Sequence, residues 1–535
     1  MANRRPSIPV IRTGRRLDRH TTAAECVVPG GWSERLDRSA SLSPSTLTSP
    51  CAGAKLTKMQ SNPPISCAEA QAAFENDHPA YAATRRLDAL RSTEYPRLDR
   101  NGDVFLDYTA GGMYADSQIR DHAELLVGNI FGNPHSTNAA SVAMTDLVER
   151  ARASVLEFFN ASPDEYVVCF TQNASGALRL VGEAYPFSSA GHYLLTFDNH
   201  NSVNGIREFA RAKGARVTYA PVIPPDMRID ENRLAGYLED PGSASCNLFA
   251  YPAQSNFSGV QHSLEWIPRA QDRGWDVLLD AAAFVPTNRL DLSRWHPDFV
   301  PISFYKIFGY PTGVGALIAR KTALQKLHRP WFAGGTITVA SVQGDRFYLQ
   351  DGAEGFEDGT LDYLSLPAVE IGIRHINQVG LDLIHTRVQC LCEWLIDELG
   401  SLRHANGRPI VRIYGPVDAI ERGATVALNL YDPDGHFVDH RSVEARANKA
   451  GISLRTGCFC NPGGGELALG ISAEELTSCF AGARDRLALE EFRRCIDDKS
   501  TGAVRVSLGI VSTFEDVYRF VQFVRCFADK SAAEA

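Results

Sequence analysis

Short apolar runs alternate with helical patterns along the chain from about residue 67 onwards. The helical patterns lie at 138–159 and 201–213. Because strands that are separated by helices usually pair in parallel, with helices on both faces, this alternation predicts the α/β fold class with a mostly parallel sheet. The apolar runs that we predict as strands are 104–106, 166–170, 193–197, 246–251 and 277–280.

The pattern changes after about residue 345. The elements predicted there are the helices 362–378, 381–399 and 513–528 and the strands near 409–413, 424–430 and 503–507. We therefore predict four segments along the chain. They are a head at 1–65, a large α/β domain at 66–360, connecting helices at 361–400 and a smaller C-terminal α/β domain at 401–535.

The head differs from the rest of the chain in charge. Residues 1–58 contain ten Lys and Arg residues and four acidic ones, which leaves 44 basic and 59 acidic residues elsewhere. Because the head is also rich in Ser, Thr and Pro and has no hydrophobic period, we predict that it is disordered. Two alternatives stay open. One is an organelle transit peptide, which the four acidic residues disfavour, and the other is a true start at Met59.

Composition excludes several classes of protein. The 535 residues carry a formal net charge of −9, and an acidic excess disfavours nucleic-acid binding because it repels phosphate. No apolar run approaches the roughly 18 residues that a membrane-spanning helix needs. Twelve cysteines are too dilute for a disulfide scaffold and are ordinary for a reducing compartment. We therefore predict a cytoplasmic protein that binds neither nucleic acid nor a membrane.

A carboxylate and a lysine each follow an apolar run. Asp280 ends the run 277–280, and Lys306 follows a second apolar run 26 residues later. Ligand sites of open α/β sheets collect at such strand ends, and a buried lysine is costly unless it is neutralised, paired or covalently bound. The pair is typical of a lysine that forms an imine with pyridoxal phosphate while an aspartate binds the pyridinium nitrogen. Either residue alone would not indicate this cofactor.

Polar residues at other strand ends fit the same cofactor. The turn at 170–177 follows a strand and opens a helix whose N–H groups could bind a phosphate, although most such turns are only helix caps. His200 follows the next strand, where an imidazole could stack on an aromatic ring or have a purely structural role. Asn256 ends a further strand and could contact a ring oxygen.

These residues form an ordered set that resembles the class V aminotransferase family of fold-type I pyridoxal-phosphate enzymes, and in particular the cysteine desulfurases. The stretches 304–313 and 455–463, and the sequence Asn133-Pro134-His135-Ser136, closely resemble the N-terminal desulfurase domain of molybdenum cofactor sulfurases. The resemblance covers about residues 100 to 528. It implies pyridoxal phosphate as cofactor and a fold-type I fold, with a large domain of mostly parallel sheet and a smaller C-terminal domain.

The resemblance also implies roles for individual residues. Lys306 matches the residue that binds the cofactor aldehyde, and Asp280 matches the residue that binds the ring nitrogen. His200 matches a residue that stacks on the ring and relays protons, and Asn256 matches one that faces O3′. The residues that match the phosphate-binding positions are Ala174, Ser175 and Ser303. Thr360 matches a position that reaches the phosphate across a dimer interface, so a homodimer is implied.

Two arginines are candidates for binding a substrate carboxylate, because a guanidinium group fits a carboxylate with two parallel hydrogen bonds. Arg505 lies in an alternating strand that places it opposite its apolar neighbours. Taken alone, it could equally be a surface arginine. The resemblance favours Arg505 as the substrate-binding residue and makes Arg455 the second candidate.

The cysteines indicate which reaction the protein catalyses. A desulfurase needs a thiolate that takes sulfur from the substrate as a persulfide, and such a thiol is mobile, partly exposed and close to positive charge. Cys458 and Cys460 lie between Arg455 and a loop at 462–465, whose glycines make it well suited to movement. The family alignment favours Cys460 as the catalytic nucleophile. A metal site is disfavoured because no second Cys or His pair stands at ligand spacing.

These features predict an L-cysteine desulfurase of the molybdenum cofactor sulfurase type, which forms alanine and a Cys460 persulfide. We expect the chain to lack the usual C-terminal acceptor domain and to pass sulfur to a separate acceptor, such as the molybdenum cofactor or its carrier. A second hypothesis is another class V enzyme of specialised metabolism, a C–S lyase, an epimerase or a transaminase, for which Cys460 is dispensable. A third is a non-catalytic scaffold, which the pair of Lys306 and Asp280 argues against.

Overall fold

The computed structural model describes residues 66–134, 136–243, 245–481, 487, 491–492 and 502–534. These residues all belong to one unit of the chain, Thr57–Ala535. The head that we predict to be disordered, at 1–65, lies outside the described residues, and so does His135. The domain limits at 360 and 400 stay predictions.

The described residues form seventeen strands, which we number in chain order. They are β1 Val104–Phe105, β2 Tyr166–Thr171, β3 His192–Thr196, β4 Arg216–Ala220, β5 Val222–Ile223, β6 Arg228–Ile229, β7 Leu248–Pro252, β8 Asp276–Asp280, β9 Phe299–Ser303, β10 Gly315–Arg320, β11 Ile337–Ser341, β12 Arg346–Leu349, β13 Val411–Tyr414, β14 Thr425–Leu430, β15 Ile452–Ser453, β16 Arg455–Gly457 and β17 Ala503–Ser507. All eight runs that we predicted as strands are confirmed, with limits that differ by no more than two residues. The strands β4 and β10 of the large sheet and the hairpin β11–β12 were missed.

Helices connect these strands. The α-helices of the described residues are Cys67–Asp77, Arg86–Glu94, Pro96–Asn101, Asp116–Gly128, Ala139–Phe158, Ala174–Ala184, Asn201–Asn204, Ile206–Ala212, Glu231–Leu238, Trp266–Gln271, Phe304–Phe308, Lys321–Leu324, Pro367–Val379, Leu381–Ser401, His440–Lys449, Pro462–Leu469, Ala473–Phe480 and Phe514–Arg525. Two short 3₁₀-helices lie at Pro79–Thr84 and Glu354–Phe356. The helix predicted at 201–213 is divided at Gly205. None of the helices in the described part of the chain combines the length and apolar character that crossing a bilayer requires.

The large sheet has seven strands in the order β2-β10-β9-β8-β7-β3-β4. The strands β4, β3, β7, β8 and β9 pair in parallel, and β10 is antiparallel to both β9 and β2. The central strands β3, β7, β8 and β9 are buried along their whole length, which is why their sequences are continuous apolar runs instead of alternating ones. The predicted α/β class with a mostly parallel sheet is confirmed.

The first predicted strand is not part of the large sheet. β1 pairs in parallel with β15, with Val104 opposite Ile452. The next residues continue along β17, where Asp107 forms a β-bridge with Ser507. β17 belongs to a four-stranded antiparallel sheet with the order β13-β14-β17-β16. The N-terminal segment therefore completes the C-terminal part of the fold, a long-range pairing that short apolar runs do not reveal.

Candidate active site

Lys306 and Asp280 line one cavity of about 140 Å³ at the carboxyl edge of the large sheet. Asp280 is the last residue of β8 and is buried, and its Oδ1 accepts a hydrogen bond from the Ala282 N–H at 3.0 Å. Lys306 lies in the helix Phe304–Phe308 directly after β9. Burial lowers the pKa of its amino group, and the Asp280 carboxylate opposes that shift. The structure therefore brings together the lysine and carboxylate that the two strand ends predict.

The helix Ala174–Ala184 begins at the same cavity. The Ala174 N–H donates to Ser303 Oγ at 2.9 Å, which joins the start of this helix to the end of β9. Ser175 Oγ lies 2.6 Å from Ser202 Oγ, and the Ser175 N–H has no protein acceptor among the described residues. A helix start attracts anions because its N–H groups carry partial positive charge. The three residues predicted around a phosphate are thus neighbours.

His200 lines this cavity from the end of β3. Its Nδ1 accepts a hydrogen bond from the Ser202 N–H at 3.1 Å, so the neutral ring carries its proton on Nε2. Burial lowers the pKa of the ring, against the effect of the Asp280 carboxylate. The positive charges of Lys306 and Arg505 lower it further. His200 is therefore neutral at pH 7.

Asn256 lines the cavity after β7 and also anchors the turn that carries the cysteines. Its Nδ2 donates to the Phe459 carbonyl oxygen at 2.7 Å, and its Oδ1 accepts from Asn461 Nδ2 at 3.0 Å. Asn461 Nδ2 also donates to the Asp198 carbonyl oxygen at 2.6 Å. A contact of Asn256 with a cofactor oxygen would use the second hydrogen on Nδ2 and stays a prediction.

The backbone around Cys458 and Cys460 forms a hydrogen-bonded turn. Phe459 and Cys460 have φ angles of 55° and 54°, and the Asn461 N–H closes the turn by donating to the Cys458 carbonyl oxygen at 2.9 Å. The Asn201 N–H, next to His200, donates to the Cys460 carbonyl oxygen at 2.6 Å. The turn is thereby tied to the carboxyl end of β3.

The glycines that we expected to provide mobility instead allow close packing. Glycines 463–465 are buried in the helix Pro462–Leu469. A Cβ at Gly463 would collide with the Phe197 carbonyl oxygen, and a Cβ at Gly464 would lie 3.0 Å from the Phe257 ring. Glycine permits close approach of the backbone as well as backbone freedom, and the sequence does not tell which of the two a site needs.

The two thiols of the turn are both exposed but differ in their surroundings. Negative charge on the Cys460 sulfur raises the pKa of Lys306 and that of Arg505, against the lowering by burial. Cys458 faces the following helix instead, because a Cβ at Gly465 would lie 3.5 Å from the Cys458 Cβ. Cys460 is therefore the thiol whose charge acts on Lys306 and Arg505.

Arg505 lies in the middle of β17 and is 3% exposed. Its Nη1 donates to the Asn256 carbonyl oxygen at 2.9 Å and its Nη2 to Asp107 Oδ1 at 3.2 Å, whereas its Nε has no partner among the described residues. Burial lowers the pKa of Arg505 to about 10. A buried donor without a partner is costly, so a carboxylate that reached this Nε–H would be stabilised by it.

Arg455 lies directly opposite Arg505 in the antiparallel pair β16–β17. Its Nε and Nη2 donate to Asp107 Oδ2 at 3.0 and 2.6 Å, and half of its side chain is exposed. Asp107 is thus shared by both predicted carboxylate-binding arginines. Asp107 was not predicted as a site residue. Its one sequence signal is its position just after the run 104–106, and nothing in the sequence tells that the end of this run lies beside β17.

Thr360 is not brought to the cavity that contains Lys306. Its exposed side chain accepts a hydrogen bond from Asn133 Nδ2 at 3.3 Å. It lines a separate surface cavity of about 340 Å³ together with Trp331. As far as the described residues show, Thr360 does not reach the cavity of Lys306 within one chain. The predicted contact of Thr360 with the cofactor phosphate would therefore need a second subunit.

Metal-ligating groups cluster once in the described part of the chain, at Asp432, Asp434 and His436. The Asp432 carboxylate there accepts hydrogen bonds from the N–H groups of Asp434 and His436, as in an ordinary turn. Neither Cys458 nor Cys460 belongs to this cluster.

The fold and the arrangement of strand ends are those of the fold-type I class. A cysteine desulfurase from Thermococcus onnurineus NA1 has the same fold, with a TM-score of 0.66 and 22% identity over 82% of this chain and 97% of that one. So has the cystine C–S lyase C-DES in complex with its product cysteine persulfide, with a TM-score of 0.62 and 18% identity over 81% of this chain and 100% of that one.

The family model of the class V aminotransferases matches residues 104–520, so the chain belongs to this family. The molybdenum cofactor sulfurase of Solanum lycopersicum is 39% identical over 476 residues, which are 82% of this chain and 57% of the tomato protein. The molybdenum cofactor sulfurase of Homo sapiens is 38% identical over 463 residues, which are 82% of this chain and 51% of the human protein. The chain thus spans between half and three fifths of the length of these relatives.

Proposed function

We propose that this protein is a pyridoxal-phosphate-dependent L-cysteine desulfurase of the molybdenum cofactor sulfurase type. The observation that carries the proposal is the surroundings of Cys460. This exposed thiol lies close enough to Lys306 and Arg505 for its charge to act on both, and Lys306 lines a cavity together with Asp280. A lysine for the cofactor, an arginine for a carboxylate and a thiol for sulfur are the groups that desulfuration needs.

The residues of the cavity fit the cofactor. The Lys306 amino group would bind its aldehyde, the Asp280 carboxylate its ring nitrogen, and the unpaired Ser175 N–H at the helix start its phosphate. When bound, the cofactor supplies an aldehyde that takes up amines and a ring that withdraws electrons from the bound amino acid. Ser303 supports the phosphate position indirectly, because its Oγ fixes the first N–H of the helix.

Proton transfer is assigned to Lys306 and His200. The lowered pKa of Lys306 increases the fraction of the amine that is neutral and able to accept a proton near pH 7. His200 is neutral and carries its proton on Nε2, and its position in the cavity allows it to stack on the cofactor ring and to pass a proton. Both residues can therefore take part in general acid–base catalysis.

The substrate would be held by its carboxylate. Arg505 offers its free Nε–H, and Arg455 stands beside it. Cys460 as thiolate attacks the sulfur of L-cysteine, the Cβ–S bond of the substrate breaks, and the bond electrons remain on Cβ, which takes up a proton. The products are alanine and a Cys460 persulfide. The name of the relatives points to the molybdenum cofactor or its carrier as the sulfur acceptor.

A panel of amino acids tests this function. Purified protein with pyridoxal phosphate and a reducing thiol is expected to release alanine and sulfide from L-cysteine in equal amounts, with neither pyruvate nor a keto acid. Pyruvate with sulfide would instead identify a C–S lyase, and a keto acid a transaminase. Either of these two outcomes contradicts the proposed reaction.

A homodimer is the second part of the proposal. Six apolar side chains are at least 40% exposed between residues 331 and 348, a segment that contains the hairpin β11–β12, and such patches mark interfaces. They are Trp331, Phe332, Val339, Val342, Phe347 and Tyr348. Thr360 lines cavities next to this segment, one with Trp331 and one with Ile337 of β11. A second chain packed here would bring its own Thr360 towards the phosphate-binding helix.

Charged substitutions in the hairpin test the dimer. Val342→Asp with Tyr348→Lys is expected to weaken the dimer by about a hundredfold or more, because it buries unpaired charges at the interface. Val417→Asp is the matched control, since Val417 is 63% exposed outside this segment. Sedimentation velocity at several concentrations measures the state of each variant. A monomeric wild type, or a double variant as dimeric as the control, contradicts the proposal.

A further inference from the structure

Among the described residues, Asp107 carries the one carboxylate that contacts both candidate substrate-binding arginines. It is 9% exposed. Its Oδ2 accepts both hydrogen bonds of Arg455, at 3.0 and 2.6 Å, and its Oδ1 accepts one from Arg505 at 3.2 Å. The neighbouring strands supply the geometry, because Asp107 bridges to Ser507, two residues from Arg505 on β17.

The two arginines need a counter-ion. They are cross-strand partners on β16 and β17, and like charges that lie directly opposite each other destabilise a strand pair. Arg505 is also buried, and burial disfavours its charge, which Asp107 counteracts. Without the Asp107 carboxylate, both guanidinium groups would therefore be poorly stabilised in their present positions.

Arg455 depends on Asp107 more than Arg505 does. Arg505 keeps a second hydrogen bond, from Nη1 to the Asn256 carbonyl oxygen at 2.9 Å. The hydrogen bonds of the Arg455 guanidinium within the described residues both go to Asp107, and half of the side chain is exposed. Removing the carboxylate would let Arg455 move into solvent, where its charge is hydrated and screened.

We infer that Asp107 is a positioning residue for substrate, which holds Arg455 beside Arg505 so that the two form one carboxylate-binding site. The inference rests on the proposed function, in which Arg505 binds the carboxylate of the amino acid. In the intact protein the site contains two positive groups and one negative group. When Asp107 loses its charge and Arg455 leaves, the net charge at the site is unchanged but one donor group is gone. Binding of a carboxylate therefore weakens, and binding of a plain amine does not.

Calorimetric titration with L-alanine and with ethylamine, which lacks the carboxylate, tests this inference. Both are titrated into protein loaded with pyridoxal phosphate. Asp107→Asn keeps the shape of the side chain and is expected to lower the preference for L-alanine over ethylamine by about tenfold, as expected for losing a charged hydrogen-bond donor. Asp516→Asn is the matched control, because Asp516 forms a similarly buried ion pair with Arg91 at 2.6 Å. It is expected to lower the melting temperature without changing that preference.

A second variant shows whether Asp107 acts through Arg455. Arg455→Gln is expected to lower the preference at least as much as Asp107→Asn does, because it removes the same donor and leaves the Asp107 charge in place. The double variant is expected to be no worse than either single one. Arg455 is half exposed, so this variant folds even if Asp107→Asn does not.

The outcomes separate this inference from the proposed function. An unchanged or increased preference in Asp107→Asn or in Arg455→Gln overturns the positioning role and leaves the desulfurase proposal intact. Additive losses in the double variant also overturn it. If the wild type itself binds L-alanine no better than ethylamine, the arginines do not bind a substrate carboxylate. The proposed positioning role of Asp107 is then wrong as well.

Discussion

Replacing Cys460 by alanine is expected to stop sulfur release from L-cysteine, by about a thousandfold or more, because no other group replaces a missing nucleophile. The cavity with Lys306 and Asp280 lies beyond the changed side chain, so cofactor binding should persist. The measurement combines sulfide and alanine release with the absorption of the bound cofactor. Loss of sulfur transfer with intact cofactor absorption is the expected result.

Cys458→Ala is the matched control for that variant. Both thiols are exposed and belong to one turn, but the Cys458 Cβ lies beside Gly465 of the following helix, whereas the Cys460 charge acts on Lys306 and Arg505. It should retain most of the activity. Undiminished alanine production by Cys460→Ala would contradict the desulfurase proposal and favour a class V enzyme that does not use this thiol.

Replacing Lys306 by alanine is expected to lower the rate by about a thousandfold or more, since the general base of the reaction is lost. It should also remove the attachment point of pyridoxal phosphate. Borohydride treatment followed by mass spectrometry of the peptides measures the attachment directly. The wild type should carry the reduced cofactor on Lys306, and the variant should carry none on the chain.

Lys321→Ala is the control variant, because it removes a lysine that lies outside the cavity of Lys306. Lys321 is exposed at the start of the helix Lys321–Leu324, after β10. This variant should match the wild type in activity and labelling. Cofactor fixed on another lysine in the wild type would refute the assignment of Lys306, and an unlabelled wild type would revive the hypothesis of a scaffold without catalytic activity.

Much of the large sheet could be predicted because its central strands are buried on both faces. Burial on both sides makes each strand a continuous apolar run, and polar residues at the ends of such runs stand out. Asp280 and Lys306 were found in this way. Strand β10 escaped because it follows the short helix Phe304–Phe308 and returns antiparallel, outside the alternation of strands and helices that we searched for.

The sequence by itself determined the fold class, the lysine and carboxylate of the cavity, the helix start for a phosphate and the cysteine turn, because each depends on a local pattern or on an ordered motif. Only the tertiary structure decided how Arg455, Arg505 and Asp107 meet, and that the glycines 463–465 pack instead of move. The physical reason is that contacts between distant segments, such as β1 with β15 or Gly463 with Phe197, depend on which surfaces pack together. Which surfaces pack together depends on the whole chain, so no short stretch of the sequence indicates it.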